Sequence, residues 1–140
     1  MSAPDVSMQT MNAAEITLTP TMTSPIEPAV VPAASLVIGT GRTRRFVGRE
    51  HGAGISYFFV DNDPGQGPGL HWHPYTETWV VLEGTAEITM GDRRLIAEVD
   101  DTATVPAGVW HRFENVGEGR LRMLCIHASD VIVQTWADED

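Results

Sequence analysis

Short alternating runs of apolar and polar residues fill this chain from Ser35 onward, and they constrain its fold more than any other feature. Gly, Asp, Asn or Pro residues separate the runs about every 8–12 residues, a spacing typical of all-β domains. In the clearest run, residues 85–90, the side chains of Ala86, Ile88 and Met90 share one face and polar side chains share the other. No amphipathic helix of useful length competes with these runs. The pattern predicts a chain built almost entirely of strands.

The run at residues 85–90 continues into a predicted β-hairpin. Gly91 and Asp92 form the turn, and residues 93–99 follow with Leu95, Ala97 and Val99 as the expected buried face. Further strands are predicted at residues 55–60, 69–73, 77–83, 102–105, 110–115 and 120–127. Strands this short and numerous need closure or face-to-face packing to protect their edges, which predicts a small barrel or jelly roll.

The composition excludes several classes of function. A length of 140 residues suits one domain, and 19 acidic residues against nine Arg and no Lys give a net charge of −10, which disfavours nucleic acid and anionic lipid as partners. No apolar run reaches the roughly 18 residues of a membrane helix. The absence of Lys excludes Schiff-base catalysis and a Walker-type phosphate loop. Cys125 is the only cysteine and no secretory signal is evident, which predicts a cytoplasmic protein without an intrachain disulfide.

Residues 1–34 differ in composition from the rest of the chain. They are rich in Thr, Pro, Ala and Met, and no helix can extend far between Pro4, Pro20, Pro25, Pro28 and Pro32. We interpret this stretch as a flexible arm that precedes a single domain formed by residues 35–140. The alternative is that residues 16–18 form a strand on a sheet edge.

Three histidines and one glutamate occupy positions that suit metal chelation. His71 and His73 are two residues apart, so a strand points both imidazoles to the same side. Glu77 is the first residue of the next predicted strand and is expected on its inward face. His111 lies at the start of a later strand, after a turn. These four side chains can converge inside one barrel, although a lone strand histidine is more often a surface or core residue.

Two other histidines and two potential nucleophiles receive no functional role. His51 lies in a turn, and His127 ends a strand without an evident partner. Ser56 lacks the glycine spacing of a nucleophile elbow, and Cys125 lies in mid-strand among apolar neighbours. We expect Ser56 and Cys125 to be core residues.

The residues around the metal candidates resemble the two motifs of the cupin superfamily. The first motif is matched at Gly65, His71, His73, Glu77 and Gly84. The second motif is matched at Pro106, Gly108, His111 and Asn115. Asp100 departs from the pattern, because a glycine usually leads the second motif, and this departure is expected to alter one turn.

The resemblance implies a single-domain cupin barrel, a double-stranded β-helix of the jelly-roll type, with His71, His73, Glu77 and His111 as metal ligands. Three imidazoles and one carboxylate without a thiolate favour one divalent transition metal ion, Mn, Fe, Co, Ni, Cu or Zn, over Ca or Mg. Four protein ligands leave up to two positions of an octahedral site for water, dioxygen or substrate oxygen.

The barrel interior is expected to hold a small-molecule pocket beside the ion. Its predicted lining is aromatic and sulfur-containing, namely Tyr57, Phe59, Trp79, Met90, Phe113, Met123 and Cys125. Apolar walls of this kind favour a small aromatic, enolic or keto substrate. A basic cluster, formed by Arg42, Arg44, Arg45 and Arg49, is interpreted as a solvated strand face rather than as an anion site.

These features lead to the hypothesis of a metal-dependent oxygenase that acts on a small enolic or aromatic molecule. Glu77 would be a ligand and, when it leaves the metal, a general base. The alternatives are a non-redox isomerase, epimerase or lyase on a carbohydrate-derived ketone or uronate, and a non-catalytic small-molecule-binding or sensor protein. An apolar outward face formed by Thr78, Val80 and Leu82 predicts a homodimer.

Overall fold

Two five-stranded antiparallel sheets make up the protein, with the order β1-β2-β9-β4-β7 in the first sheet and β10-β3-β8-β5-β6 in the second. This computed structural model describes residues 18–138. Its strands are β1 (Arg44–Phe46), β2 (Ser56–Asn62), β3 (His71–Trp72), β4 (Glu77–Glu83), β5 (Ala86–Met90), β6 (Arg93–Ala97), β7 (Thr102–Val105), β8 (His111–Asn115), β9 (Leu121–His127) and β10 (Thr135–Trp136). Short 3₁₀ turns at Ala33–Leu36 and Gly48–His51 precede β1 and β2.

The all-β jelly roll predicted from the alternating runs is confirmed. Strands β4 and β7 have the predicted bounds, and β5 pairs with β6 as a hairpin in which Ala86 lies opposite Ala97 and Met90 lies opposite Arg93. Gly91 adopts a φ of 57° in the turn, a left-handed conformation that glycine adopts without strain. The strands β1 and β10 are not predicted from the sequence, because they are too short to show alternation.

The predicted buried face of β6 is wrong except at Ala97. Leu95 is 47% exposed and Val99, which lies beyond the end of the strand, is 49% exposed. β6 is the edge strand of its sheet and pairs only with β5, so little protein covers its far side.

The core lies between the two sheets and consists of inward residues on alternate positions of the longer strands. Its buried apolar members are Val60, Trp79, Val81, Ala86, Ile88, Ala97, Val105, Phe113, Leu121, Met123 and Cys125. Full burial of one large apolar side chain contributes about 1.5–3 kcal/mol. The apolar core is therefore able to hold the sheets together and to fix the polar side chains placed among them.

The departure from the second cupin motif at Asp100 is confined to one turn. Asp100 is the one non-glycine residue with a positive φ, 74°, in the part of the chain that the structure describes. Its backbone N–H donates to Val81 O at 2.9 Å, and the backbone N–H of Glu98 donates to the Asp101 carboxylate at 2.8 Å. The turn keeps a glycine-like backbone with an aspartate in the glycine position.

The arm predicted at residues 1–34 is described only from residue 18. Residues 18–32 contain no helix or strand, and their side chains are exposed except for the half-buried Val31. Most of the alternative strand at residues 16–18 lies outside the described residues. No helix among residues 18–138 has the length and apolar character needed to cross a bilayer.

Candidate metal centre

The four predicted ligands come together at one end of the space between the sheets. β3 and β8 pair so that His71 lies opposite His111, while β4 begins with Glu77 in the other sheet. His73 follows β3 directly. One ligand atom from each of the four residues lies within 4.8 Å of the other three, and all four residues are buried. The structure therefore positions three imidazoles and one carboxylate for a single ion.

Backbone carbonyls fix the orientation of the three imidazoles. The Nδ1 atoms of His71, His73 and His111 lie 2.7, 2.8 and 2.9 Å from the carbonyl oxygens of Gly69, Val133 and Val109. A carbonyl oxygen can only accept, so each Nδ1 carries a proton, and Nε2 offers its lone pair whenever the ring is neutral. That tautomer is the one a metal requires when it binds through Nε2.

The position of Glu77 also fits a metal ligand. Its Oε1 atom lies 3.1 Å from His73 Nε2 and 3.0 Å from His111 Nε2, so one oxygen faces two of the candidate ligand nitrogens. His111 Nε2 is buried and, despite this short distance, has no partner with hydrogen-bond alignment. A buried nitrogen without a partner is costly, and a bound cation would satisfy it. The residues thus fit a divalent transition metal ion.

The protonation states of Glu77 and His71 favour the binding of a cation. Burial opposes the ionisation of Glu77, but His111, His127 and His73 outweigh it and hold the pKa of this carboxyl well below its usual range. Burial lowers the pKa of His71 to about 4. At neutral pH the site therefore contains an ionised carboxylate and a neutral His71 imidazole, the forms that bind metal.

His127, for which the sequence predicts no functional role, lies beside the centre. β9 pairs with β4 so that His127 lies opposite Glu77, and its Nε2 is 3.2 Å from Glu77 Oε2. The strand alternation carried the signal, because Leu121, Met123 and Cys125 point inward and His127 continues that face.

Tyr75 connects His127 to the backbone near the C-terminal end. The N–H of Val133 donates to Tyr75 Oη at 3.1 Å, and Tyr75 Oη lies 2.6 Å from His127 Nδ1. Burial raises the pKa of Tyr75, so its hydroxyl stays protonated and donates to His127 Nδ1. His127 Nε2 then carries a proton and donates to Glu77 Oε2. This chain of hydrogen bonds, which we name the Tyr75–His127 relay, leaves Glu77 Oε1 facing the ligand nitrogens.

A cavity of about 610 Å³ opens from the centre. His71, Glu77 and His127 form one part of its wall, and Phe58 and Trp136 are among the apolar residues that form another. The ring of Trp136, on β10, lies 4.7 Å from the His71 ring between centroids. A small molecule in this cavity would contact the open side of the metal centre.

Five of the seven predicted pocket residues belong to the core or pack against it. Phe113 and Cys125 line the cavity. Trp79 and Met123 are buried in the core, and Met90 packs against that core, so these three do not line the cavity. Burial, together with the charge of Glu77, raises the pKa of Cys125 well above its usual value, which suits the core residue expected from the sequence.

The expectation that Tyr57 and Phe59 line the pocket is corrected by the structure. Their side chains lie on the outer face of β2, where Tyr57 stacks on Phe46 at 5.1 Å between centroids and Phe59 lies under the guanidinium of Arg44. Phe58 faces the cavity instead. Apolar side chains occupy both parities of β2, so alternation alone did not define its inward face.

Comparison with known proteins identifies the family. The family model described as the cupin domain matches residues 58–127, half of the chain. The chain therefore belongs to the cupin family, and its metal-site motifs lie within this fold.

Individual relatives share the domain but differ in length. Polyketide synthase CurC of Streptomyces cyaneus is 36% identical over 62 residues, which cover 44% of this chain and 40% of that protein. Oxalate decarboxylase OxdC of Bacillus subtilis (strain 168) is 33% identical over 92 residues, which cover 59% of this chain and 24% of that protein. The chain thus matches less than half the length of each. The structure of a cupin 2 domain-containing protein from Halorhodospira halophila is similar with a TM-score of 0.62 and 26% identity, covering 71% of each chain.

Proposed function

We propose that this cupin is a metal-dependent enzyme, an oxygenase, that acts on a small enolic or aromatic substrate. The observation that carries the proposal is the continuity between the buried centre and the cavity, whose wall includes both His71 and Glu77 and the aromatic residues Phe58, Phe113 and Trp136. A pocket with apolar walls and polar groups concentrated at one end suits a planar molecule that presents oxygen atoms to that end.

The metal ligands in this proposal are His71, His73, Glu77 and His111. A bound Mn, Fe, Co, Ni, Cu or Zn ion would supply Lewis-acid polarisation of substrate oxygens and, where the ion is redox-active, electron transfer with dioxygen. The protein residues hold the nitrogen lone pairs in place, keep Glu77 ionised and bury the four ligand side chains.

The volume of the cavity and one relative support the substrate class. A cavity of about 610 Å³ is within the range of drug-sized ligand sites. Polyketide synthase CurC shares 36% identity with the chain over 62 residues, and polyketide intermediates carry repeated keto groups that enolise. Such oxygen-rich molecules match an apolar cavity with a metal centre at one end.

Glu77 is proposed as a ligand first and as a general base only after it leaves the metal. Its pKa is held well below the usual range, which makes its carboxylate a weak base while the surrounding imidazoles contact it.

A non-redox isomerase, epimerase or lyase is the second candidate, with a carbohydrate-derived ketone or uronate as substrate. The Tyr75–His127 relay favours it, because it joins a carboxylate in the cavity wall to two further groups that can exchange protons. A non-catalytic binding or sensor role is the third candidate, since the same centre and cavity would hold a ligand without turnover.

Elemental analysis followed by dioxygen-consumption assays tests these candidates. Protein purified without added metal should contain one transition metal ion per chain and should consume dioxygen with an enol, catechol or flavonoid-like compound. Conversion of a substrate without dioxygen consumption would replace the oxygenase by the non-redox enzyme. Tight binding without conversion would support the binding protein, and absence of any metal would overturn all metal-centred candidates.

The outer face of the first sheet supports a homodimer as the assembly. Thr78 lies opposite Ile126, and Val80 lies opposite Leu124, which in turn lies opposite Phe59. These outward side chains are half-buried and largely apolar. We propose that a second copy of the chain covers this face. The buried, unpaired Cys125 is compatible with the proposed cytoplasmic location.

A further inference from the structure

Arg45 is the one member of the basic cluster that faces the cavity. β1 pairs with β2 so that Arg45 lies opposite Phe58 and Arg44 lies opposite Phe59. Paired residues share a face of the sheet, so Arg45 points inward with Phe58 while Arg44 points outward. Both Arg45 and Phe58 line the cavity, together with Thr43, two residues before Arg45 on the same face.

The other three arginines of the cluster are engaged elsewhere. Arg42 lies 2.8 Å from the Asp63 carboxylate, and Arg49 lies 3.0 Å from that of Asp130. The guanidinium of Arg44 lies 4.0 Å above the centre of the Phe59 ring. Among residues 18–138, by contrast, no carboxylate forms a salt bridge with Arg45. The guanidinium that faces the cavity is therefore available to a ligand.

The two charged groups of the cavity wall, Arg45 on β1 and Glu77 on β4, are separated by the strands β2 and β9. The one carboxylate of the wall, Glu77, is already surrounded by three imidazoles at the metal centre. Beside Arg45 the wall has neutral polar groups, among them Thr43 and Gln134. Arg45 is exposed to solvent and also lines the cavity, and in a chain with a net charge of −10 its unpaired guanidinium attracts an anion to that place.

We propose that Arg45 forms an anion subsite and that the substrate carries a carboxylate, held by Arg45, at the end remote from the oxygens that approach the metal centre. This inference rests on the proposed function, since it adds a group to the enolic or aromatic substrate class. A single guanidinium matches one carboxylate through two parallel hydrogen bonds. A phosphate monoester would leave charge unpaired, because the cavity wall contains no second arginine.

Two matched compounds test the subsite: catechol, and 3,4-dihydroxybenzoate, which adds one carboxylate to the same ring. Calorimetric titration of the metal-loaded protein should show 3,4-dihydroxybenzoate binding about tenfold more tightly, as expected for a charged hydrogen-bonded pair. Arg45→Gln should bring the ratio of the two affinities close to one. Arg45→Lys should retain part of the preference, because it keeps the charge but loses the planar fork.

Arg93→Gln provides the matched control. Arg93 is exposed on β6 and does not line the cavity, and its replacement changes the net charge by the same amount as Arg45→Gln. It should keep the preference of the unmodified protein. A carboxylate preference that survives in Arg45→Gln would overturn the subsite by placing the carboxylate at the metal centre. Equal affinities of the unmodified protein for catechol and 3,4-dihydroxybenzoate would overturn the subsite. In that case the binding of catechol itself would still support the proposed substrate class. Failure of both compounds to bind would overturn both proposals.

Discussion

His111 is the only candidate ligand from β8, and it is the residue that most directly tests the metal centre. His111→Ala leaves His71, His73 and Glu77 in place but removes one nitrogen from the site. Metal affinity should fall by well over tenfold, since even indirect supporting contacts are worth about 10–100-fold. Folding should survive, because the apolar core supplies most of the stability.

Metal content and a melting curve on the same sample separate these effects. His51→Ala is the control, because His51 stacks on Phe46 at 4.6 Å and belongs to no ligand cluster among the described residues. The control should keep its metal. Unchanged metal stoichiometry in His111→Ala would end the case for a site of three histidines and one glutamate.

Tyr75 contacts the centre through its hydroxyl, which reaches His127, and through its ring, which stacks on His73 at 5.1 Å between centroids; Tyr75→Phe keeps the stacking. Tyr75→Phe removes the hydroxyl that donates to His127 Nδ1, so His127 is no longer fixed as a donor to Glu77 Oε2. We expect metal affinity to fall, by less than the roughly 10–100-fold that is typical when a direct hydrogen-bond partner of a ligand is lost. Competition with a chelator measures this change. Tyr57→Phe, on the outer face of β2, should leave affinity unaltered, and an equal affinity in Tyr75→Phe would show that the relay does not position Glu77.

Acid should destabilise the metal-free protein. The pKa of His71 is about 4 in the folded chain, against 6.5 when unperturbed, so the unfolded chain binds this proton more readily. The corresponding contribution to stability is complete above about pH 6.5 and is lost as the pH falls towards 4. Glu77 adds to the loss at lower pH, since its folded pKa is also below its unfolded value. Denaturant midpoints measured between pH 7 and pH 4 should decline, and His71→Gln should flatten the decline. A flat profile in the unmodified protein would contradict this account.

Asp100 stores backbone strain that a glycine would release. Its φ of 74° lies in the left-handed region, where a side chain is disfavoured. Asp100→Gly should raise the free energy of unfolding by about 0.5–1 kcal/mol, net of the extra freedom that glycine gives the unfolded chain. Asp92→Gly is the control, since Asp92 is a turn residue without a positive φ and its replacement should destabilise. Denaturant unfolding measures both, and a loss of stability in Asp100→Gly would show that the aspartate is favoured in this turn.

At the scale of elements, alternation predicted those strands whose two faces differ in polarity. β4 and β7 have the predicted bounds, and the β5–β6 hairpin forms around the predicted turn. β2 was assigned the wrong inward face at Tyr57 and Phe59, because its apolar side chains occupy both parities. A polar residue, the buried Ser56, begins the true inward face, where its hydroxyl accepts from Gly48 N–H at 3.0 Å.

The segment after β9 shows why part of the site was not predictable. Val133 supplies two backbone groups: its carbonyl accepts from His73 Nδ1 and its N–H donates to Tyr75. Trp136 packs against His71 and lies only two residues before the end of the described part of the chain. Ligand spacing in the motifs marks His71, His73, Glu77 and His111 in the sequence. The backbone groups that orient His73 and Tyr75 come from a distant segment, and backbone groups leave no residue pattern.

At the scale of the whole molecule, two apolar surfaces compete as the contact between copies. The first is the outer face of the first sheet, where Phe59, Leu124 and Val80 form one row across β2, β9 and β4. The second is the edge strand β6, where Leu95 is 47% and Ile96 is 59% exposed. The row crosses three paired strands of a sheet face, whereas β6 is a single five-residue edge, so we favour the outer face as the contact.

Sedimentation equilibrium at micromolar concentration should therefore report twice the chain mass of 15.3 kDa. Val80→Asp places a charge in the middle of the row and should yield a monomer, because an unpaired charge buried in an interface costs several kcal/mol. Thr89→Asp is the control on the outer face of the second sheet, where its β5 position lies between Arg94 and Arg112, and it should remain dimeric. If Val80→Asp stays dimeric while Ile96→Asp dissociates, the contact is the β6 edge. A monomer in the unmodified protein would show that this apolar row is compatible with exposure to water. It would overturn the proposed homodimer.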